Sequence, residues 1–249
     1  MRLGALLTPA DVSKPHHLVE EAKAIEAAGF DSLWSAHAMG RGFMMHDPLT
    51  ALAAAAAVTS RVELGTAILQ LPIYHSTDIA LKVLTLRQIA GDRVLLGVGA
   101  GSTESDYVIH EADFKNRFSD FDASLTKLRQ TLSTGTAGGG NIAVPPNLQG
   151  GPPIFFGTWG RNVARAATEF DGWIASGMHR SPEECAEALA GYREAGGGRA
   201  VVSTILVTAE TDLSALKDRL QGYQHAGFDD AVVMIYPGGP TFEQVRSLV

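Results

Sequence analysis

The chain has 249 residues, 45% of them hydrophobic, and a formal net charge of -7; it can bury a full core, and its length fits two small domains or one large α/β barrel. It carries no Lys/Arg cluster to neutralise phosphates, which argues against nucleic acid as a partner. Its one cysteine, Cys185, rules out an intramolecular disulfide, the apolar start is too short for a secretory leader, and no run reaches the roughly 18 apolar residues of a membrane span, so a soluble, cytoplasmic setting and a structural thiol are expected.

Short apolar runs bounded by turn signals alternate with amphipathic segments along the whole chain. Residues 2–7 read as a strand, 17–28 as a helix and 32–35 as a second strand. Residues 47–59 read as a helix, with Asp47 at its N-cap and Pro48 at its first position. Residues 62–69 are the third strand. Residues 77–90 place Ile79, Leu81, Leu84, Leu86 and Ile89 at helical spacing, 94–98 are the fourth strand, and 117–132 are the next helix. Residues 133–151 hold Gly138-Gly139-Gly140 and Pro145-Pro146 and read as a loop, the best candidate for mobility. Strands at 154–156, 172–175, 201–208 and 231–236 then alternate with helices at 161–170, 181–195, 213–225 and 241–249.

Eight strand–helix units in about 250 residues is the arithmetic of a (β/α)8 TIM barrel. We expect an α/β chain forming one such domain over residues 1–249. A doubly wound open sheet is the alternative, but no composition break marks the two-domain split it would want. In a barrel the C-terminal strand ends carry the chemistry, so they form the candidate list. The second strand runs into His37, flanked by small residues that would leave its ring unobstructed; a surface loop histidine is the bland reading, an acid–base group the sharp one. The fourth strand ends in Gly97, Gly99 and Gly101, followed by Ser102, Thr103, Glu104 and Asp106. These glycines are either turn residues or a tip with bare amides for a flat or anionic ligand, and the polar residues after them suit a polyol or a helix cap. The fifth strand opens into Gly157, Thr158, Trp159, Gly160 and Arg161 before a helix, where unpaired amides and the helix dipole favour a phosphate; Trp159 serves equally as packing. Neither a metal-ligand spacing nor a nucleophile elbow is present.

In order and spacing, several stretches resemble the superfamily of bacterial luciferase-like flavin monooxygenases and coenzyme F-420-dependent oxidoreductases. They are residues 22–37, ending Ser32-Leu33-Trp34-Ser35-Ala36-His37; 47–66, ending Glu63-Leu64-Gly65-Thr66; 81–101, ending Gly97-Val98-Gly99-Ala100-Gly101; and 157–172, ending Phe170-Asp171-Gly172. The resemblance covers nearly the whole chain. It implies a flavin or deazaflavin ring over the third strand at Thr66, Ala67 and Ile68, with the Ala67–Ile68 peptide bond cis in deazaflavin members. It further implies His37 as the active-site histidine, Gly99, Ala100, Gly101 and Ser102 beside the ring and ribityl chain, and residues Gly157 to Arg161 as a phosphate loop. Members commonly carry an acid just before the histidine, where this chain has Ala36. Only residues 209–212 stand where many members have a long lid insertion, so the site is expected to be open or covered by residues 133–151.

The resemblance leaves two chemistries on one scaffold. Coenzyme F-420 would give hydride transfer to or from a small organic substrate, with His37 polarising the substrate oxygen. FMN would give a two-component monooxygenase that uses molecular oxygen and a separate flavin reductase. A barrel that binds a flavin without turnover is the third possibility, and F-420 is preferred. Relatives usually pair through early helices, and the small side chains of residues 51–58 suit close helix contact, so a homodimer is expected.

Overall fold

The computed structural model describes residues 1–10 and 16–249. Eight parallel strands close into a barrel: β1 (Arg2–Leu6), β2 (Ser32–Ser35), β3 (Glu63–Thr66), β4 (Val94–Gly99), β5 (Ile154–Gly157), β6 (Gly172–Ser176), β7 (Arg199–Val207) and β8 (Asp230–Ile235). Each pairs with its chain neighbours, and β1 pairs with β8 to complete the ring. Outside lie α1 (His17–Ala27), α2 (Pro48–Val58), α3 (Ser76–Ala90), α4 (Glu104–Ile109), α5 (Arg117–Thr134), α6 (Val163–Glu169), α7 (Pro182–Glu194), α8 (Leu213–Ala226) and α9 (Phe242–Arg246). The TIM barrel expected from strand and helix alternation is therefore the fold.

Two apolar layers follow from the strand period of two. The barrel interior holds Leu6, Trp34, Leu95, Phe155, Ile174, Val201, Val232 and Met234, while the opposite strand faces pack under the helices. Trp34 is the largest interior side chain, and glycine opposite makes room for it: a Cβ at Gly65 would fall 2.3 Å from its ring. Its indole nitrogen donates to Ser32 Oγ at 2.8 Å, which satisfies the one polar atom the ring buries. Charge closes the N-terminal end. Glu63 accepts from Arg2 at 2.6 Å and from Arg199 at 2.7 Å, and fully buried Asp230 accepts from Arg199 at 2.7 Å.

The helix start read from the sequence is formed, and a second cap joins it. Asp47 caps α2 through the Thr50 amide with Pro48 in the first turn, and Ser181 and Glu184 form a reciprocal capping box on α7. The structure departs from the sequence reading in four places. The third strand does not run on through residue 69. It stops at Thr66, the Ala67–Ile68 peptide is cis, and Leu69–Gln70 resumes the ladder against Val98 and Gly99. Residues 104–109, assigned no element from the sequence, form α4. The segment read as helix from 161 begins as a 3-10 turn at Gly160–Asn162, with α6 starting at Val163. Residues 133–151 contain a small hairpin, Thr136–Ala137 with Gly140–Asn141. This segment links α5 to the start of β5 and is tied to the last turn of α3 by Arg87 donating to the Gly151 carbonyl at 2.9 Å. Any helix-to-strand link in a barrel lies at the N-terminal face, so it does not cover the site. The β7–α8 connection is short, as expected, spanning residues 208–212.

Cys185 is buried and unpaired, and burial pushes its thiol up to about 11, as suits a packing residue. Among the described residues no helix is long and apolar enough to cross a membrane.

Candidate active site

His37 follows β2 by two residues and is held by the interrupted third strand. The Ala67 amide donates to Ser35 O at 2.9 Å and the His37 amide to Ile68 O at 3.3 Å. Its carbonyl accepts from Gln70 Nε2 at 3.2 Å. The ring is not unobstructed, because it is buried against Tyr74 and His110, with ring centroids 5.1 and 5.9 Å away. Nε2 lies 3.1 Å from the Tyr74 hydroxyl, and Nδ1 is buried without a partner. Burial first, and then the neighbouring His110, push the ring's pKa down to about 4. His37 is therefore a neutral imidazole at physiological pH.

Gln70 and Asp106 pin the loop that carries His37. Gln70 Nε2 also donates to Asp106 Oδ2 at 2.9 Å. Asp106 is fully buried and accepts from the Met39 amide at 2.8 Å and from Arg41 Nε and Nη2 at 3.2 and 2.5 Å. Burial alone would push this carboxyl up, but Arg41, the Met39 amide and Gln70 outweigh it and hold the group below the usual carboxylate range. Asp106 thus has its acceptors committed inside the protein, and the expectation of a free acid here for a polyol is corrected. Ser102 remains exposed, while Ala100 is buried and its carbonyl accepts from the Tyr107 hydroxyl.

The glycines of the expected tip are matched by neighbours on their side-chain sides. A Cβ at Gly97 would meet the Thr66 carbonyl at 2.0 Å, one at Gly99 Ile68 Cδ1 at 3.0 Å, one at Gly157 Ile68 Cγ2 at 2.3 Å, and one at Gly101 Gln70 Oε1 at 1.9 Å. Ile68 and Gln70 therefore sit where larger residues would have stood, and close packing accounts for glycine at these positions. Thr66, fully buried, donates its hydroxyl to Gly97 O at 2.7 Å and stitches β3 to β4.

The loop after β5 divides. Trp159 faces Trp173 at 6.0 Å and lies under the Arg180 guanidinium at 4.8 Å, and the Thr158 carbonyl accepts from Trp173 Nε1 at 3.0 Å. Both serve packing. Gly160, at φ +63, has nothing within 4 Å of where a Cβ would lie, and Arg161 is exposed beside it. A separate cleft of about 490 Å3 opens between α1 and the β8–α9 link; Glu20, Glu21 and Glu243 line it, which makes it a poor cradle for an anion.

The structure thus brings His37, Thr66, Ala67, Ile68, Gly99, Gly101 and Gly157 into one half of the barrel, at the C-terminal ends of β2 to β5, with Gly160 and Arg161 following β5. Sequence reasoning missed Gln70, Tyr74 and His110, and it named Asp106 only as a polar residue for a ligand or a cap, not as the anchor of the His37 loop. Each belongs to a two-residue strand, a turn or a short helix whose place beside His37 is set by the barrel, so no periodicity announces it. Among the described residues no group of three His, Cys, Asp or Glu side chains could hold a metal ion.

A family model described as luciferase-like monooxygenase matches residues 2–238. The chain is 31% identical over 195 residues to a Mycobacterium tuberculosis protein named as a coenzyme F-420-dependent oxidoreductase, covering 70% of this chain and 55% of that one. It is 37% identical over 90 residues to 4-hydroxyprotoasukamycin monooxygenase of Streptomyces nodosus subsp. asukaensis, covering 35% of this chain and 24% of that one. The chain thus spans about half or less of the length of these relatives. Among solved structures, an F-420-dependent secondary alcohol dehydrogenase in complex with an F-420–acetone adduct superposes with a TM-score of 0.78 at 16% identity, covering 100% of this chain and 98% of that chain. That likeness is one of fold.

Proposed function

The chain belongs to the luciferase-like monooxygenase family, and from that premise we propose that it is a coenzyme F-420-dependent oxidoreductase that moves a hydride to or from a small organic substrate. The observation that carries this reading is the buried, unpartnered Nδ1 of His37. It sits on a neutral imidazole at the C-terminal face, one backbone hydrogen bond from the Ala67–Ile68 turn. An orphaned buried nitrogen is costly unless something fills its valence, and a bound ligand does so. The F-420 relative, alike over 70% of this chain, supports the choice of coenzyme.

The residues present fit such a group. Ala67 and Ile68 would carry its ring, and Gly160 with Arg161, open to solvent, would hold its phosphate. The deazaflavin supplies a two-electron hydride carrier when bound. His37 exchanges a proton or a hydrogen bond with the substrate oxygen. Ile68 and the buried wall of β4 keep water from that atom, and Asp106 with Gln70 holds the His37 loop still.

The test is titration of the purified protein with F-420 and with FMN, oxidised and reduced, followed by fluorescence. Tight F-420 binding is expected. A preference for reduced FMN would replace the reading with a two-component monooxygenase served by a flavin reductase, and binding of neither would replace it with a barrel without turnover. A homodimer through the early helices belongs to the same proposal, and sedimentation at micromolar concentration checks it.

A further inference from the structure

We infer that Tyr74, oriented by Asp47, is a positioning residue that fixes the tautomer of His37, keeping the ring proton on Nε2 and leaving the Nδ1 lone pair as the only group the ring offers to a ligand. The inference rests on the reading of His37 as the acid–base group of the site and deepens it.

The argument is one of counting protons and lone pairs. The Tyr74 hydroxyl lies 3.1 Å from His37 Nε2 and 3.5 Å from Asp47 Oδ2. A phenol has one proton to give and two lone pairs to receive with. Asp47 Oδ1 is already engaged by the Thr50 amide and hydroxyl at 2.8 and 2.7 Å, so Oδ2 is the oxygen left facing Tyr74. Burial would push the Asp47 carboxyl up, but the two Thr50 donors hold it below its ordinary range. The carboxylate is ionised and accepts only. Tyr74 stays a neutral phenol, its pKa raised by burial and by Asp47.

The phenolic proton therefore points at the carboxylate, toward the stronger acceptor. What the oxygen then shows His37 is a lone pair, which only an N–H can meet. The imidazole is neutral, with His110, Asp106, Asp47 and Arg41 the charged or titratable groups around it, so its single proton stands on Nε2 and Nδ1 is bare. The opposite arrangement would bury an N–H at Nδ1 with no acceptor and turn a lone pair of the phenol toward a carboxylate. The device selects ligands that bring a donor, an O–H or N–H, to Nδ1.

The experiment is long-range 1H–15N NMR of the imidazoles of the full chain at neutral pH, with the His37 signals among the eight histidines assigned by their loss in His37→Gln. Wild type should show Nε2 as a protonated, pyrrole-type nitrogen and Nδ1 as a bare, pyridine-type one. Tyr74→Phe, close to isosteric, should lose that single tautomer and give averaged shifts. Asp47→Asn keeps a competent helix cap and should move the shifts the same way, so misfolding of one variant does not shelter the inference. A proton on Nδ1 in wild type, or unchanged shifts in both variants, would overturn it. The tautomer is read without any cofactor, so its failure is separate from a failure to bind F-420.

Discussion

Ile68 lies over Gly157 so closely that a Cβ on the glycine would fall 2.3 Å from Ile68 Cγ2. The side chain after the cis peptide thus reaches across β4 to β5, and the two residues define one wall of the candidate site. Gly157→Ala should destabilise the protein by about 1–3 kcal/mol through overpacking. The same substitution in an Ile68→Ala background should cost much less. A double-mutant cycle in urea measures the coupling, and additive effects would refute the contact.

Because His37 is buried and neutral, with a pKa near 4 against an ordinary 6.5, the unfolded chain binds a proton at this position that the folded chain does not. Stability from this group is fully present above pH 6.5 and falls as pH drops toward 4, by on the order of 3 kcal/mol in total. His37→Gln should flatten that part of the stability-versus-pH curve. An unchanged slope in the variant would mean that the imidazole is not held neutral.

His37→Ala should lower kcat with F-420 between about a hundredfold and ten-thousandfold, as loss of an acid–base group does, while changing cofactor affinity little. Stopped-flow hydride transfer alongside the fluorescence titration separates the two effects. Equal losses in both would assign His37 to binding rather than to proton handling.

Asp106 accepts from three residues while fully buried, so Asp106→Ala leaves the Met39 amide without its acceptor, Arg41 without its carboxylate and Gln70 Nε2 with only the His37 carbonyl. A loss of about 2–4 kcal/mol is expected, read as a lower urea midpoint at unchanged m-value. The loop carrying His37 should loosen with it, and hydrogen exchange over residues 37–41 reports that.

At the opposite end of the barrel Asp230→Ala should also lower stability, by about 3–5 kcal/mol, since it leaves Arg199 and Arg2 short of a buried partner. It should leave cofactor binding unchanged in the folded protein, because the N-terminal face carries stability and the C-terminal face the chemistry. Weakened F-420 binding in folded Asp230→Ala would contradict that division.

Strand and helix alternation was enough to derive the barrel, and a one-dimensional rule, that strand ends carry function, was enough to nominate His37, whereas the Ala67–Ile68 turn was named only through the family resemblance. Both signals are local: side-chain period, caps, and the glycine at a strand tip are written in consecutive residues. The role of that tip was not legible, because whether a glycine is bare or filled depends on a residue from another strand. Ile68 fills Gly157 and Gln70 fills Gly101, from 89 and 31 positions away by residue number. The loop at 133–151 was misplaced for the same reason, since its composition shows a loop but only chain direction in the closed barrel shows which face it lies on.

The sequence by itself determined the order of elements, the capped helices and the histidine at the end of β2, because backbone propensity and hydrophobic periodicity act over a few neighbouring residues. Only the tertiary structure decided that Tyr74, Gln70, Asp106 and His110 gather around that histidine, that Asp106 is spent on Arg41, and that Nδ1 is left without a partner. Those are consequences of ring closure, which sets residues up to 73 positions apart within a few ångströms and takes them out of water, where each polar atom must find a partner or wait for one.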